Sequence, residues 1–154
     1  MRFVIQRVRH AECTVDGAVT GAIGRGFLVL IGVSDTDTEE TAERMLRKMT
    51  GLRIFEDADG KTNLALCDVG GALFLISQFT LYADCRKGNR PSFVKAGKPK
   101  HAERLYEHLI ELCRRKYPEI PVERGIFGAD MKLSLLNDGP FTVVLDSEEL
   151  FRKA

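Results

Sequence analysis

Two uninterrupted apolar runs limit how this chain can fold. One is GFLVLIGV at residues 26–33, and the other is GALFLI at residues 71–76. Neither carries a charge, and both contain β-branched and aromatic side chains. Runs with these properties are typical of strands that are buried on both faces of a sheet. The sequence therefore predicts a sheet with these two strands in its interior.

Amphipathic segments supply the elements that cover this sheet. In residues 37–50, apolar side chains recur at helical spacing, and residues 99–116 repeat the pattern. Thr36 or Asp37, each with a glutamate three residues later, predicts a capping box where the first helix begins. The sequence thus predicts two helices packed on the sheet.

The remaining segments predict shorter strands. Residues 2–8 alternate between apolar and polar side chains, and Asp16-Gly17 is a two-residue hairpin signal. The closing strands are predicted at residues 121–126, 130–136 and 141–146, the last two joined by a turn at 137–140. The predicted fold class is α+β, a single domain over residues 1–154 with a largely antiparallel, barrel-like sheet covered by two main helices.

Composition excludes several classes of function. The 154 residues are 44% apolar and 29% charged, with a net charge of +1, so any contact with nucleic acid must be local rather than a bulk charge effect. No apolar stretch is long enough to span a membrane, and no signal-peptide pattern opens the chain. The four cysteines are widely separated and form no metal-binding pattern with the three histidines. We expect a cytoplasmic protein with reduced cysteines, no metal and no cofactor.

Candidate chemistry lies directly after the second apolar run. Ser77 and Thr80 are hydroxyls at a strand end, where a rigid sheet can aim them at a crevice, although such hydroxyls also commonly bond to the backbone. Arg86, Lys87 and Arg90 follow in a loop and suit either phosphate binding or a solvated surface. Nucleotide-binding glycine loops, a G-x-S-x-G elbow and an H-E-x-x-H motif are all missing. An enzyme with this sequence would need a substrate that is already reactive.

Five sequence blocks resemble one known family. They are the opening MRFVIQRV, the run at residues 26–33, SQFTL at 77–81 with RPSF at 90–93, FGADM at 127–131, and NDGPFT at 137–142. Together they cover nearly the whole chain, in the order and spacing found in the D-aminoacyl-tRNA deacylases, also called D-Tyr-tRNA deacylases. The chain is similar to the D-specific branch because it keeps SQFTL.

The resemblance implies a reaction and a set of catalytic residues. Members are homodimers that hydrolyse the ester between a D-amino acid, or glycine mischarged on tRNA-Ala, and the terminal adenosine of tRNA. The implied catalytic residues are Ser77, Gln78, Phe79 and Thr80, with backbone N–H groups around Phe79 and Thr80 stabilising the oxyanion. Thr80 would act as the nucleophile, or the 2′-hydroxyl of the tRNA would assist. We favour the second mechanism because nothing in the sequence would deprotonate a threonine.

The resemblance also implies how substrates are selected and held. Gly139-Pro140, through a cis peptide bond, would enter the pocket of the partner subunit and exclude L side chains. The residues implied for adenosine or pocket binding are Phe79, Phe127, Met131 and Asn137. The residues implied for tRNA phosphates are Arg7, Arg86, Lys87 and Arg90.

Two alternatives to a tRNA deacylase stay open at this point. The first is a catalytically idle RNA-binding module for the tRNA end on the same fold, which a turnover assay would separate. The second is a general small-molecule esterase or amidase, which would cleave free D-amino-acid esters as readily as charged tRNA.

Overall fold

The first strand organises the sheet. In the computed structural model, which describes residues 1–153, β1 (Arg2–Val15) pairs antiparallel along one side with β3 (Gly26–Gly32) and then with β2 (Ala18–Ile23). The turn between β1 and β2 is Asp16-Gly17, where both residues have positive φ, so the predicted hairpin is confirmed. Along its other side, β1 pairs antiparallel with β8 (Lys132–Asp146).

The two apolar runs are parallel neighbours in the interior of this sheet. β3 pairs with β6 (Ala72–Ser77), and β6 pairs with β7 (Val122–Arg124), both in parallel. The strands β4 (Phe55–Glu56) and β5 (Thr62–Leu64) form a separate hairpin. The main sheet curls until Gly21 of β2 lies against β7, where an added Cβ would be 3.3 Å from the Arg124 carbonyl oxygen. The predicted fold class is confirmed, with a mixed sheet that nearly closes into a barrel.

Three helices flank the sheet: α1 (Glu39–Gly51), α2 (Pro99–Lys116) and the short α3 (Ser147–Leu150). The predicted cap of α1 is wrong, because Thr38 is the N-cap and exchanges hydrogen bonds with Thr41. Asp37 is buried instead, and its carboxylate accepts the Ser34 N–H at 2.7 Å and the Met1 ammonium at 2.6 Å. Within residues 1–153, no helix is long and apolar enough to cross a membrane.

Alternation along the strands divides the core into two clusters. Phe27 and Leu73 face the helices, while Leu28 and Phe74, one residue further along each strand, face the inside of the curl. The helix-side cluster is the larger one, and its members from α1 and α2 include Met45, Leu46, Met49, Leu105, Tyr106 and Leu109. The two apolar runs are therefore buried on both faces, as predicted.

The predicted turn at residues 137–140 is wrong. β8 is one continuous strand through this region, and both of its ends pair with β1. Gln6 lies opposite Thr142 and Val8 lies opposite Asn137, so residues 138–141 bulge out against the single residue Arg7. We call residues 138–141 the β8 bulge. In the bulge, the Asp138 carbonyl and the Phe141 N–H form no sheet hydrogen bond with β1. Arg7 donates to this carbonyl and the Asn137 side chain accepts from this N–H instead, so β8 can continue past the bulge.

A buried tyrosine ties α2 to the end of β6. The Tyr106 hydroxyl donates to the Leu75 carbonyl at 2.7 Å, and burial raises its pKa to about 12. We expect Tyr106→Phe to lower the free energy of unfolding by about 1–2 kcal/mol in urea titrations at neutral pH. The raised pKa means that the hydroxyl stabilises the fold fully below about pH 10 and loses this effect as the pH rises through about 12. The difference between wild type and variant should therefore shrink across that window, and a constant difference would contradict this role.

Candidate active site

A large cavity opens at the edge of the sheet where β3 and β6 end. Its volume is about 840 Å³. Residues after both strands, the N-terminal end of α2 and the loop before β8 form its walls, and the lining residues include Val33, Asp35, Ser77, Gln78, Phe79, Phe93, Val94, Lys98, Phe127 and Met131. Crevices at the carboxyl ends of parallel strands commonly bind ligands, because loops can vary there while the strands stay rigid. This cavity is the strongest candidate for a substrate site.

Two backbone N–H groups in the segment after β6 donate to no other residue among residues 1–153. The Gln78 N–H donates to the Ile31 carbonyl at 2.7 Å, and residues Phe79–Tyr82 then form one turn of 3₁₀ helix. The N–H groups of Phe79 and Thr80 begin this turn, so they have no partner within it. Neither donates to any other residue among residues 1–153. Two adjacent free donors beside an apolar cavity can stabilise negative charge on a substrate oxygen.

Thr80 has no base beside it. Its side-chain oxygen accepts a hydrogen bond from the Gln78 amide at 2.5 Å, and Thr80 is exposed. In the described part of the chain, no carboxylate or imidazole is hydrogen-bonded to Thr80 or to Ser77. The His101 ring instead contacts the Asp37 carbonyl at 3.0 Å. The arrangement can position and polarise a substrate, but it does not activate a hydroxyl nucleophile.

The mouth of the cavity is apolar and aromatic. Phe79 and Phe93 pack edge to face with ring centroids 5.0 Å apart, yet Phe79 is 54% exposed and Val94 is 83% exposed. On the opposite wall, Phe127 packs against Tyr106, and Met131 lies four residues further along. An aromatic surface left open at the rim of a cavity suits the flat face of a base or another ring.

Arg7 and Asn137 hold the β8 bulge in place. Arg7 is buried, stacks on Phe141 and donates from Nε and Nη2 to the Asp138 carbonyl at 3.0 and 2.8 Å and from Nη1 to the Ile54 carbonyl at 2.7 Å. The Asn137 side chain accepts the Phe141 N–H at 2.7 Å and donates to Gln6. The Gly139-Pro140 peptide bond at the tip is cis, and both residues are exposed.

The β8 bulge does not line the cavity of its own chain. Gly139, Pro140 and Asn137 are all outside the cavity wall. The joint site predicted from residues 77–81 and 137–142 therefore requires a second copy of the chain. That assembly stays a prediction.

The four residues predicted to bind phosphate differ in whether their side chains are already hydrogen-bonded or paired. Arg7 cannot serve, because its buried guanidinium is committed to main-chain carbonyls, and we reassign it to positioning the bulge. Arg86 pairs with Asp84 at 2.6 Å, and Arg86 holds the pKa of that carboxyl well below its usual range. Lys87 and Arg90 are exposed, and their side chains form no hydrogen bond or ion pair with any described residue. Only these two of the four predicted cations are free for a phosphate.

Several cavity residues were not predicted from the sequence. They follow β3 or begin α2, and they are Val33, Asp35, Gly97, Lys98 and Ala102. The signal that could have found them is the pair of apolar runs, since runs of that type favour parallel strands whose carboxyl ends lie side by side. The segment after β3 then lies beside the segment after β6. Residues 1–153 contain no group of three or more His, Cys, Asp or Glu side chains arranged to hold a metal ion.

Comparisons with known proteins agree with this fold. Residues 4–146 match the model of the D-Tyr-tRNA(Tyr) deacylase family. The chain is 54% identical to a D-aminoacyl-tRNA deacylase of Anaeromyxobacter dehalogenans over 98% of its length and all of the relative, and 53% identical to one of Thermus aquaticus over 97% of both chains.

Solved structures are similar over nearly the whole chain as well. One is described as a c-Myc DNA unwinding element binding protein, with a TM-score of 0.90, 41% identity and coverage of 95% of this chain and 98% of that one. Another, a probable eukaryotic D-amino acid tRNA deacylase, has a TM-score of 0.79 at 20% identity, covers 94% and 97% of the two chains and supports the fold alone.

The family match and the named relatives define an enzyme of the class that hydrolyses ester bonds. The chain belongs to the D-Tyr-tRNA(Tyr) deacylase family. The resemblance stated from its motifs is therefore confirmed.

Asp84 offers a test of the loop that carries Arg86, Lys87 and Arg90. Its carboxylate also lies 3.6 Å from the Lys95 amine, so it neutralises two cations at once. If this loop contacts RNA, Asp84→Asn should tighten binding of uncharged tRNA and steepen its salt dependence by about one unit of log–log slope. Fluorescence anisotropy across a potassium chloride series measures both. Unchanged binding would mean that the loop lies away from the RNA.

Proposed function

We propose that the protein hydrolyses the ester bond of D-aminoacyl-tRNA and releases the free D-amino acid and tRNA. The observation that carries the proposal is the pair of N–H groups at Phe79 and Thr80 in the SQFTL segment, which donate to no other described residue, in a turn whose first residue, Phe79, lines an apolar cavity. Membership of the D-Tyr-tRNA(Tyr) deacylase family supports it. We also propose that the enzyme works in the cytoplasm, where tRNA is charged.

The proposed chemistry relies on polarisation. Water adds to the carbonyl carbon, and the oxygen that becomes negatively charged is held by the N–H groups of Phe79 and Thr80. The bond to the ribose oxygen then breaks, and that oxygen takes the proton that the attacking water gives up. The 2′-hydroxyl next to the ester assists this proton movement, because no base among residues 1–153 is hydrogen-bonded to Thr80. Ser77 and Gln78 position the turn, and Gln78 does so by bonding to Thr80.

The aromatic rim would hold the terminal adenosine. Phe79 would stack against the base, with Phe127 and Met131 on the opposite wall of the same cavity. Asn137 was also predicted to contact the substrate, but its side chain is committed to the β8 bulge, so we propose that it acts by shaping that bulge.

Selection of the D form would come from the β8 bulge of a second subunit. In the proposed homodimer, Gly139 and Pro140 of one subunit enter the cavity of the other and leave no room for an L side chain. Exclusion of this kind accepts many D side chains, and it also accepts glycine, which has no side chain to exclude. Cleavage of glycyl-tRNA mischarged on tRNA-Ala belongs to the proposal for this reason.

Thr80→Val separates the two possible mechanisms. The substitution keeps the shape and the backbone N–H but removes the hydroxyl. We expect the rate of D-Tyr-tRNA deacylation to stay within about tenfold of wild type, since removal of a true nucleophile typically costs 10³-fold or more. Single-turnover assays with radiolabelled D-Tyr-tRNA measure the effect. A loss of that larger size would assign the nucleophile to Thr80.

Arg7→Gln tests the proposed filter. It removes the guanidinium that holds the Asp138 carbonyl, so the bulge should lose its position. We expect the ratio of D-Tyr-tRNA to L-Tyr-tRNA cleavage to fall at least about tenfold, which corresponds to about 1.4 kcal/mol of discrimination. Arg9→Gln is the matched control, because Arg9 is exposed and pairs with the Asp138 carboxylate at 3.5 Å rather than with the Asp138 carbonyl.

The same experiment tests the function itself. Thermal unfolding of both variants checks that the fold survives. If wild-type protein cleaves neither tRNA faster than buffer does, the deacylase proposal is wrong, and a non-catalytic RNA-binding module becomes the better account. If it cleaves free D-tyrosine esters as fast as D-Tyr-tRNA, it is a general esterase.

A further inference from the structure

A second depression on the surface, away from the active-site cavity, is lined by cations. It has a volume of about 460 Å³ and runs between the C-terminal half of α1 and the end of the chain. Its lining residues are Arg44, Arg47, Lys48, Gly51, Leu52 and Phe151. We call it the α1 groove. Three of its six lining residues are positive and none is negative.

The cations of the α1 groove are largely free of acidic partners. Arg47 is 74% exposed, and its one acidic contact is Glu43 at 4.0 Å. Glu43 is engaged by Lys116 of α2, whose hydrogen bond lowers the pKa of that carboxyl. Lys48 is exposed and pairs with no described acid. The positive charge of this groove is therefore available to a ligand.

An aromatic ring holds the third cation in the groove. The guanidinium carbon of Arg44 lies over the Phe151 ring, 3.9 Å from the ring centroid. A stacked guanidinium keeps its N–H donors directed outward at the ring edge while it loses little freedom on binding. Arg44 and Phe151 also line a second, smaller depression, which contains Glu40 and Glu148. The stacked pair therefore separates these acidic residues from the cations of the α1 groove.

This concentration of charge contrasts with the rest of the surface. The whole chain has a net charge of only +1, and Asp84 neutralises Arg86 and Lys95 in the loop after the active site, whose other cations, Lys87 and Arg90, pair with no described acid. A charged nucleic acid would gain little from those neutralised pairs. The α1 groove adds a cluster of three cations to the two free ones of the loop after the active site.

The position of the groove fits a substrate that extends beyond the cavity. Asp35 lines the cavity, and α1 begins four residues later at Glu39. The cations of the groove lie six to ten residues after Thr38, which corresponds to about 9–15 Å along the helix. A few nucleotides of extended strand span such a distance.

We propose that the α1 groove binds the phosphodiester backbone of the tRNA substrate beyond its aminoacylated adenosine. The identity of the RNA rests on the proposed function, but the charge complementarity does not. Arg47 and Lys48 contribute affinity that depends on salt, and they take no part in the chemical step.

The test compares two double variants that remove the same charge. Arg47→Gln with Lys48→Gln alters the groove, and Lys61→Gln with Arg114→Gln alters exposed cations elsewhere. Binding of uncharged tRNA is measured across a potassium chloride series. Hydrolysis of a D-tyrosyl ester of adenosine, which has no phosphodiester backbone, is measured in parallel.

We expect the groove variant to bind tRNA more weakly, with a log–log salt slope lower by about two units, while the control keeps the wild-type slope. Its rate on the adenosine ester should equal that of wild type. Equal salt slopes for both double variants would overturn the inference. If the groove variant shows the expected slope but no form of the protein cleaves D-Tyr-tRNA, the groove remains an RNA-binding site and only the proposed function fails.

Discussion

The structure depends on β1 being paired along both of its sides. One side carries β3 and β2, and the other carries β8, so a single 14-residue strand joins the interior of the sheet to its edge. Long antiparallel pairing of this kind sets the register of every neighbour, because a shift by one residue would turn Phe3 and Ile5 out of the core. The register then fixes which residue lies opposite Arg7, and so where the β8 bulge forms.

The cavity at the end of β6 and the β8 bulge are held in place by different kinds of contact. The cavity stands at the end of β6, a buried strand clamped by Tyr106 and by parallel neighbours, so its free N–H groups are held rigidly. The β8 bulge stands on an edge strand and takes its shape from side chains, chiefly Arg7 and Asn137. Rigid amides suit the stabilisation of a charge that develops during reaction, and a protruding backbone segment suits steric exclusion in a neighbouring molecule.

Electrostatics on the surface is local. With 23 basic and 22 acidic residues, the protein has almost no net charge to attract RNA. Some of its basic side chains are also neutralised in ion pairs, such as Arg86 with Asp84 and Arg124 with Glu107. Free cations are therefore concentrated in a few places, and one of them is the α1 groove, where three cations lie together. RNA affinity that arises from a few charged contacts depends strongly on salt, and substitution of single residues can identify those contacts.

The sequence by itself determined the elements with strong periodicity and the family. The span of α2 matches its prediction at both ends, and the two apolar runs form buried strands, because hydrophobic pattern is local information. It could not determine that β8 continues past residues 137–140 with a bulge, that Arg7 is buried, or that Asp84 neutralises Arg86. Each of these depends on a partner distant along the chain or on competition between partners. β8 pairs with β1, Arg7 donates to the Asp138 carbonyl, and two cations share the carboxylate of Asp84. Only the tertiary structure decides which partner is within reach.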